Sequence, residues 1–302
     1  TALSVANLMD EWLAVNISFP ARTMPFNFPG FPYNKMLRLA ETLEKRLLTL
    51  IQEKRSVLSE DDHDVLSLLL KPSEDEEMMT DQELAGQVNF LFAASFETTA
   101  NSMTWILFLL SQHPEIMEEV YGHLIETLDD RIPEYADLAK LTTLERVMKE
   151  GLRLFAPPVY AYRVLSKPAT IGDYEFPERS TIAFSHYITH HMEEIYENPE
   201  QFNPDRWKEI RPTNFEYLPF GVGAHACLGG SLAYMIMKIV LSMVLRRFRL
   251  KVVPKSDISR KVLVTLAPKY GIPAIVYKQD SKFQESLSPV SGDVHEMVVL
   301  KP

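Results

Sequence analysis

A chain of 302 residues that is 46% hydrophobic and 24% charged is long enough to bury a substantial core, as one large domain or two ordinary ones. Its formal net charge of −10 argues against nucleic acid as a partner, because phosphate backbones are held by a basic face. A single cysteine excludes an intrachain disulfide and fits a reducing compartment.

In chain order, residues 1–17 are amphipathic and read as a helix, and Phe19 to Pro32 reads as an irregular apolar loop rich in Pro, Phe and Gly. Lys35 to Lys54 has helical periodicity, with Met36, Leu37, Leu39, Leu43, Leu47, Leu50 and Ile51 on one side. Asp64 to Leu70 reads as a short helix and Glu74 to Glu77 as an acidic, solvated link. Thr80 and Glu83 have capping-box spacing and open a helix that runs to about Gln112, where Pro114 stops it. At 1.5 Å per residue that helix is roughly 45–50 Å long. Glu115 to Leu128 is a further helix, and Thr142 and Glu145 repeat the capping-box spacing ahead of one that ends before Pro157-Pro158. Ala169 to Ser185 reads as short strands around turns, Asn198 to Phe220 as Pro-rich irregular chain, and Leu228 to Phe248 as a helix. Val262 to Tyr277 suggests a hairpin around Pro268 and Gly271. Gln279 to Pro302 is polar and reads as frayed or disordered. No signal peptide is visible. The longest apolar stretches, Val88 to Leu110 and Leu232 to Leu245, carry Glu97 and Lys238 and therefore read as buried helices rather than membrane spans. The expected fold class is mainly α with small β-sheets, in one domain over 1–278 followed by a disordered tail over 279–302.

The lone thiol, Cys227, lies in Phe220-Gly221-Val222-Gly223-Ala224-His225-Ala226-Cys227-Leu228-Gly229, directly before a predicted helix. Glycines permit a tight turn and a close approach of backbone to a flat ligand. Amides and the dipole at a helix start stabilise a thiolate. Upstream, Glu150 and Arg153 share a helix face at i, i+3 spacing, and Asn203-Pro204-Asp205-Arg206-Trp207 follows. Ala94-Ser95-Phe96-Glu97-Thr98-Thr99 places an acid and hydroxyls inside an apolar helix, where they are costly unless used.

These motifs, in this order, resemble those of the cytochrome P450 family over roughly Phe28 to Ile275. The family's N-terminal Trp-x-x-x-Arg helix has no counterpart upstream, so the resemblance implies a cytochrome P450 fold truncated at its N-terminus. It implies haem b (heme, iron-protoporphyrin IX) with Cys227 as the axial iron ligand, a thiolate that pushes electron density to favour O–O cleavage. It assigns Phe220, Gly221 and Gly229 to the cofactor-binding loop, Arg163 and His225 to the haem propionates, and Glu97 and Thr98 to proton relay and hydrogen bonding during oxygen activation. Glu150, Arg153 and Arg206 form, by the same resemblance, a buried triad that supports the ligand loop. Ser95 stands where the family usually has glycine, and Trp207 where it more often has phenylalanine. The activity implied is monooxygenation of a lipophilic substrate by O₂. Electrons would come from NAD(P)H through a ferredoxin- or flavoprotein-type reductase, since the chain has no flavin or iron–sulfur motif of its own. The alternatives are a non-catalytic haem-binding or scaffold derivative and a peroxide-using or isomerase enzyme on the same scaffold. The apolar residues Phe19 to Pro32 suggest a substrate-entry lip that touches a membrane surface. The expected location is cytoplasmic, or peripheral to a membrane on its cytosolic side with any anchor upstream.

Overall fold

The computed structural model describes residues 2–71, 79–262 and 264–300; the expected acidic link at 74–77 lies outside the described residues. The chain divides into two compact units, residues 1–97 and residues 98–302.

The first unit holds α1 (Ala2–Asn16), α2 (Phe19–Thr23), α3 (Pro32–Ser56), α4 (Val65–Leu70) and the first half of α5 (Asp81–Gln112). The segment after Phe19, expected to be irregular throughout, opens with one helical turn. Pro20 presets a helical φ there, and the Thr23 hydroxyl donates to the Phe19 carbonyl at 2.7 Å. The same proline effect starts α3 at Pro32. Its stripe Leu43, Leu47 and Ile51 is buried together with Val5, Met9, Leu70, Leu84 and Ala85. Asp64 caps α4 by accepting from the Ser67 amide at 3.0 Å. The capping box of α5 forms as read: Thr80 N–H donates to Glu83 Oε2 at 2.7 Å, and Glu83 N–H donates to Thr80 Oγ1 at 3.3 Å. α5 then continues unbroken for 32 residues.

The second unit holds the rest of α5, then α6 (Pro114–Leu128), α7 (Thr142–Leu154), β1 (Tyr160–Val164), β2 (Ala169–Ile171), β3 (Tyr174–Phe176), β4 (Thr181–Ser185) and α8 (His186–His190). It ends with α9 (Arg206–Glu209), α10 (Gly230–Arg247), β5 (Phe248–Val252), β6 (Arg260–Val262), β7 (Leu266–Pro268) and β8 (Ala274–Lys278). The strands form antiparallel pairs β1–β4, β2–β3, β5–β8 and β6–β7. The expected hairpin over 262–277 is therefore two things. β6 and β7 pair locally, while Gly271, at φ +71, turns the chain away so that β8 covers β5, with Leu250 opposite Val276. α10 runs straight into β5 without a loop, and the strand edge this creates is satisfied by β8. The capping box expected at Thr142 does not form, because Glu145 turns instead to Lys238 Nζ at 2.8 Å and Lys149 Nζ at 2.9 Å. A buried ammonium needs the carboxylate more than a helix end does. Among the described residues no helix is long and apolar enough to cross a membrane.

The core of this unit centres on α5 and α7. Trp105 stacks on Phe155 with 4.4 Å between ring centroids, and its indole N–H donates to the Leu266 carbonyl at 3.2 Å. Gly151 lets the two helices approach, since a Cβ there would stand 2.6 Å from Ile106 Cγ1. Gly151→Ala is therefore expected to lower unfolding stability by about 1–3 kcal/mol through overpacking, despite the better helix propensity of alanine. Urea denaturation measures this, and a variant at least as stable as the parent would contradict the packing.

Residues 279–300 are not a disordered tail. Phe283, Val294, Met297 and Val298 are buried in the core, and the Phe283 ring lies 5.5 Å from Tyr121. Backbone bonds stitch the segment down, from Lys255 N–H to Pro289 O at 2.7 Å, Ile258 N–H to Ser291 O at 2.7 Å and Val299 N–H to Glu200 O at 2.9 Å. The polar composition misleads because the apolar anchors are few and widely spaced, and the backbone partners belong to other segments.

Candidate functional site

The cysteine loop is shaped by Gly221 and Gly223, whose φ values of +66 and +75 lie in the left-handed region that favours glycine. The Cys227 amide donates to the Phe220 carbonyl at 2.8 Å and closes the loop. Gly229 is the N-cap of α10, so the thiol sits just ahead of the positive end of an 18-residue helix. The Phe220 ring packs 5.4 Å from Tyr234 and against Gly230, where an added Cβ would stand 3.4 Å from the ring. An added Cβ at Gly229 would lie 3.9 Å from Cys227 Sγ, so the glycine keeps that side of the sulfur clear. Cys227 is exposed, as are Ala224, His225 and Ala226, and Leu228 is 95% exposed. His225 ends a short 3-10 turn over Gly223–His225. A lone, accessible thiol amid small and apolar side chains, with a helix start behind it, fits a flat macrocycle bound through sulfur.

A second constellation is buried beneath the irregular chain. Glu150 and Arg153 on α7 are fully buried and Arg206 on α9 nearly so. Glu150 accepts five hydrogen bonds. Oε1 takes Arg153 Nη2 at 2.8 Å, Arg206 Nε at 2.9 Å and the Asn203 amide at 3.1 Å; Oε2 takes Arg153 Nε and the Trp207 indole N–H, both at 3.0 Å. The guanidinium groups spend their remaining donors on backbone carbonyls. Arg153 reaches His190 O at 2.7 Å and Gln201 O at 3.3 Å, and Arg206 reaches Glu197 O at 2.8 Å and Asn198 O at 3.3 Å. Tyr196 places its ring 5.0 Å from the Arg153 guanidinium carbon.

The triad read from the sequence thus comes together in space, but no hydrogen bond among the described residues joins it directly to residues 220–229. His190, Tyr196 and Trp207 were not singled out as members. Trp207 carried a signal, since an indole N–H can donate to Glu150 where a phenylalanine cannot. His190 carried none, because its role depends on a fold that brings 153, 190 and 218 together. Burial, and next the charge of Arg153, hold the His190 imidazole down at about 3. Arg153, His186, His191, Tyr196 and Tyr217 surround it. A histidine depressed in the folded state contributes stability that is full above its unfolded value near 6.5 and is lost as pH falls from there towards 3. The acid limb of the stability curve is therefore expected to carry a His190 share of about 1.4 kcal/mol per pH unit over that window. Urea melts of the parent and His190→Gln at several pH values measure it as a narrowing difference on acidification.

The remaining residues are placed as follows. Glu97 and Thr98 are consecutive and half-buried on α5, at the boundary of the two units, and the Thr98 carbonyl accepts from the Ser102 hydroxyl at 2.9 Å. Ser95 directs its hydroxyl back along the helix to the Phe92 carbonyl at 3.3 Å. Arg163 lies on the exposed strand β1, pairs with Ile182 across the sheet, and donates from Nη1 to the Tyr162 carbonyl at 2.8 Å.

A mainly helical fold with small antiparallel sheets, a solitary thiol closed by glycine turns, and a buried Glu–Arg–Arg cluster define a haem-thiolate class of protein. The family model described as Cytochrome P450 matches residues 4–272, and the chain belongs to that family. The match starts well before Phe28, where the sequence resemblance was placed. Cytochrome P450 4c21 of Blattella germanica is 32% identical over 279 residues, covering 85% of this chain and 56% of that protein. Pentalenene oxygenase of Streptomyces avermitilis is 32% identical over 220 residues, covering 72% of this chain and 49% of that protein. The structure titled "Retinoic acid bound cyanobacterial CYP120A1" has a TM-score of 0.81 at 23% identity, over 90% of this chain and 63% of that one, and shares the fold. The chain spans about half the length of the curated relatives it matches.

Proposed function

We propose that the protein is a haem-thiolate monooxygenase that inserts one oxygen atom from O₂ into a lipophilic substrate, with NAD(P)H electrons delivered by a ferredoxin- or flavoprotein-type reductase. The observation that carries this reading is the accessible Cys227 thiol in a glycine-turned loop at the start of α10. The relative named pentalenene oxygenase supports oxygen insertion as the reaction class. Haem, when bound, supplies an iron centre that activates O₂.

The chain's own residues prepare for it. The Phe220 carbonyl fixes the Cys227 backbone, Gly229 leaves room beside the sulfur, and the loop sets Cys227 just ahead of the α10 N-terminus. Arg163 and His225 are the proposed propionate partners, and both are exposed. Glu97 and Thr98 are the proposed proton-handling pair, an acid and a hydroxyl at consecutive positions of α5. Exposed Phe19, Met24, Phe26, Phe28 and Phe31 form an apolar lip suited to a lipophilic substrate and to a membrane surface.

The test is optical and uses the full-length protein. Reduced and treated with carbon monoxide, it is expected to show the strongly red-shifted Soret band of a thiolate-ligated haem. Cys227→Ser is expected to lose that band entirely. A protein that takes up no haem, or a serine variant with an unchanged spectrum, refutes the assignment.

A further inference from the structure

The buried triad and the exposed cysteine loop lie in one unit, yet no direct hydrogen bond among the described residues connects them, and one residue bridges the gap. His190, the last residue of α8, is completely buried. Its Nε2 accepts the Leu218 amide at 2.8 Å. A backbone amide only donates, so Nε2 holds the lone pair and Nδ1 carries the proton. Nδ1 then donates to the Arg153 carbonyl at 3.1 Å, while the His190 carbonyl accepts from Arg153 Nη1 at 2.7 Å. Arg153 therefore grips His190 twice, once through its backbone and once through its guanidinium. The ring is walled by Tyr217, at 5.6 Å between centroids, and by Tyr196 at 6.5 Å, edge-on. Beyond Leu218 the chain passes Pro219, which has no amide to donate, and reaches Phe220, whose carbonyl holds the Cys227 amide at 2.8 Å. Three hydrogen bonds thus lead from the charged cluster to the residue that bears the sulfur.

We propose that His190 is a positioning residue for the thiolate ligand: as a neutral, Nδ1-protonated imidazole it ties the Glu150–Arg153–Arg206 cluster to Leu218 and so sets where the Cys227 loop begins. This rests on the reading of Cys227 as the iron ligand. The role is one of placement, since His190 touches neither the sulfur nor the face the macrocycle would occupy.

The paired variants His190→Gln and His190→Asn in the full-length protein separate placement from packing. A glutamine amide reaches the Nε2 position and can accept from Leu218, whereas an asparagine amide reaches only the Nδ1 position. Hydrogen exchange at the Leu218 amide, which needs no haem, is expected to stay slow in the parent and in His190→Gln and to rise at least tenfold in His190→Asn. In the reduced carbon monoxide complex, the parent and His190→Gln are expected to keep the red-shifted thiolate band. At least half of His190→Asn is expected to move to the blue-shifted band of a neutral axial ligand. Nitrogen-15 spectra of histidine-labelled parent protein are expected to show His190 neutral and protonated at Nδ1. A parent ring protonated at Nε2 overturns the proposal whether or not any variant folds, as does an asparagine variant indistinguishable from the parent, or equal losses in both variants. A parent protein without the thiolate band refutes the ligand reading and this placement role together, while a parent band that survives in His190→Asn refutes His190 alone.

Discussion

Glu150→Ala is expected to lower the unfolding free energy by about 3–5 kcal/mol, the range for removing one partner of a buried ion cluster. The carboxylate takes five donors, including both arginines of the cluster, whose side chains are buried with it. Alanine would leave two buried guanidinium groups, an indole N–H and the Asn203 amide without their shared acceptor. Glu150→Gln keeps the shape but removes the charge and turns an NH₂ group towards donors, so it is expected to recover only part of the loss. Urea denaturation at pH 7, with unchanged slope, measures both. A loss below about 1 kcal/mol for Glu150→Ala would mean the cluster behaves as an ordinary solvated helix pair.

Phe283→Ala is expected to cost about 3–5 kcal/mol, as for other buried aromatic truncations. The side chain is 5% exposed and packs on Tyr121 of α6 within the main core, so its removal opens a cavity between the final segment and that helix. A disordered tail would instead give a change within about 0.5 kcal/mol, the range for surface positions away from any structural feature. The two outcomes are far enough apart for a single denaturation experiment to decide between them.

These two sites mark where the sequence was and was not legible. Long helices announced themselves through the 3.6-residue spacing of Leu43, Leu47 and Ile51 and through the reciprocal bonds of Thr80 and Glu83, because both signals are local. The cysteine loop was legible for the same reason, its glycines and thiol falling within ten residues. What was not legible depends on partners distant in sequence. Thr142 and Glu145 have the spacing of a cap, but Lys238 takes the acid. β8 has the pattern of a hairpin strand, but the free edge of β5 claims it. Residues 279–300 lack a stripe of their own because their backbone bonds run to 255–258 and to Glu200. Glu150, Arg153 and Arg206 were named from motif order, yet the bridge through His190 appears only when the chain is folded.

The loop preceding Arg206 has no periodic hydrogen bonding of its own, yet Glu197, Asn198 and Gln201 each point a carbonyl at a buried guanidinium. Its course is thus cast by two arginines that act as a mould and read backbone carbonyls rather than side chains. Mutational drift should accordingly be wide at Glu197 and Gln201, narrow at Asn198, whose φ of +48 favours asparagine or glycine, and almost nil at Arg153 and Arg206, so that much of the form of the loop is stored outside the loop.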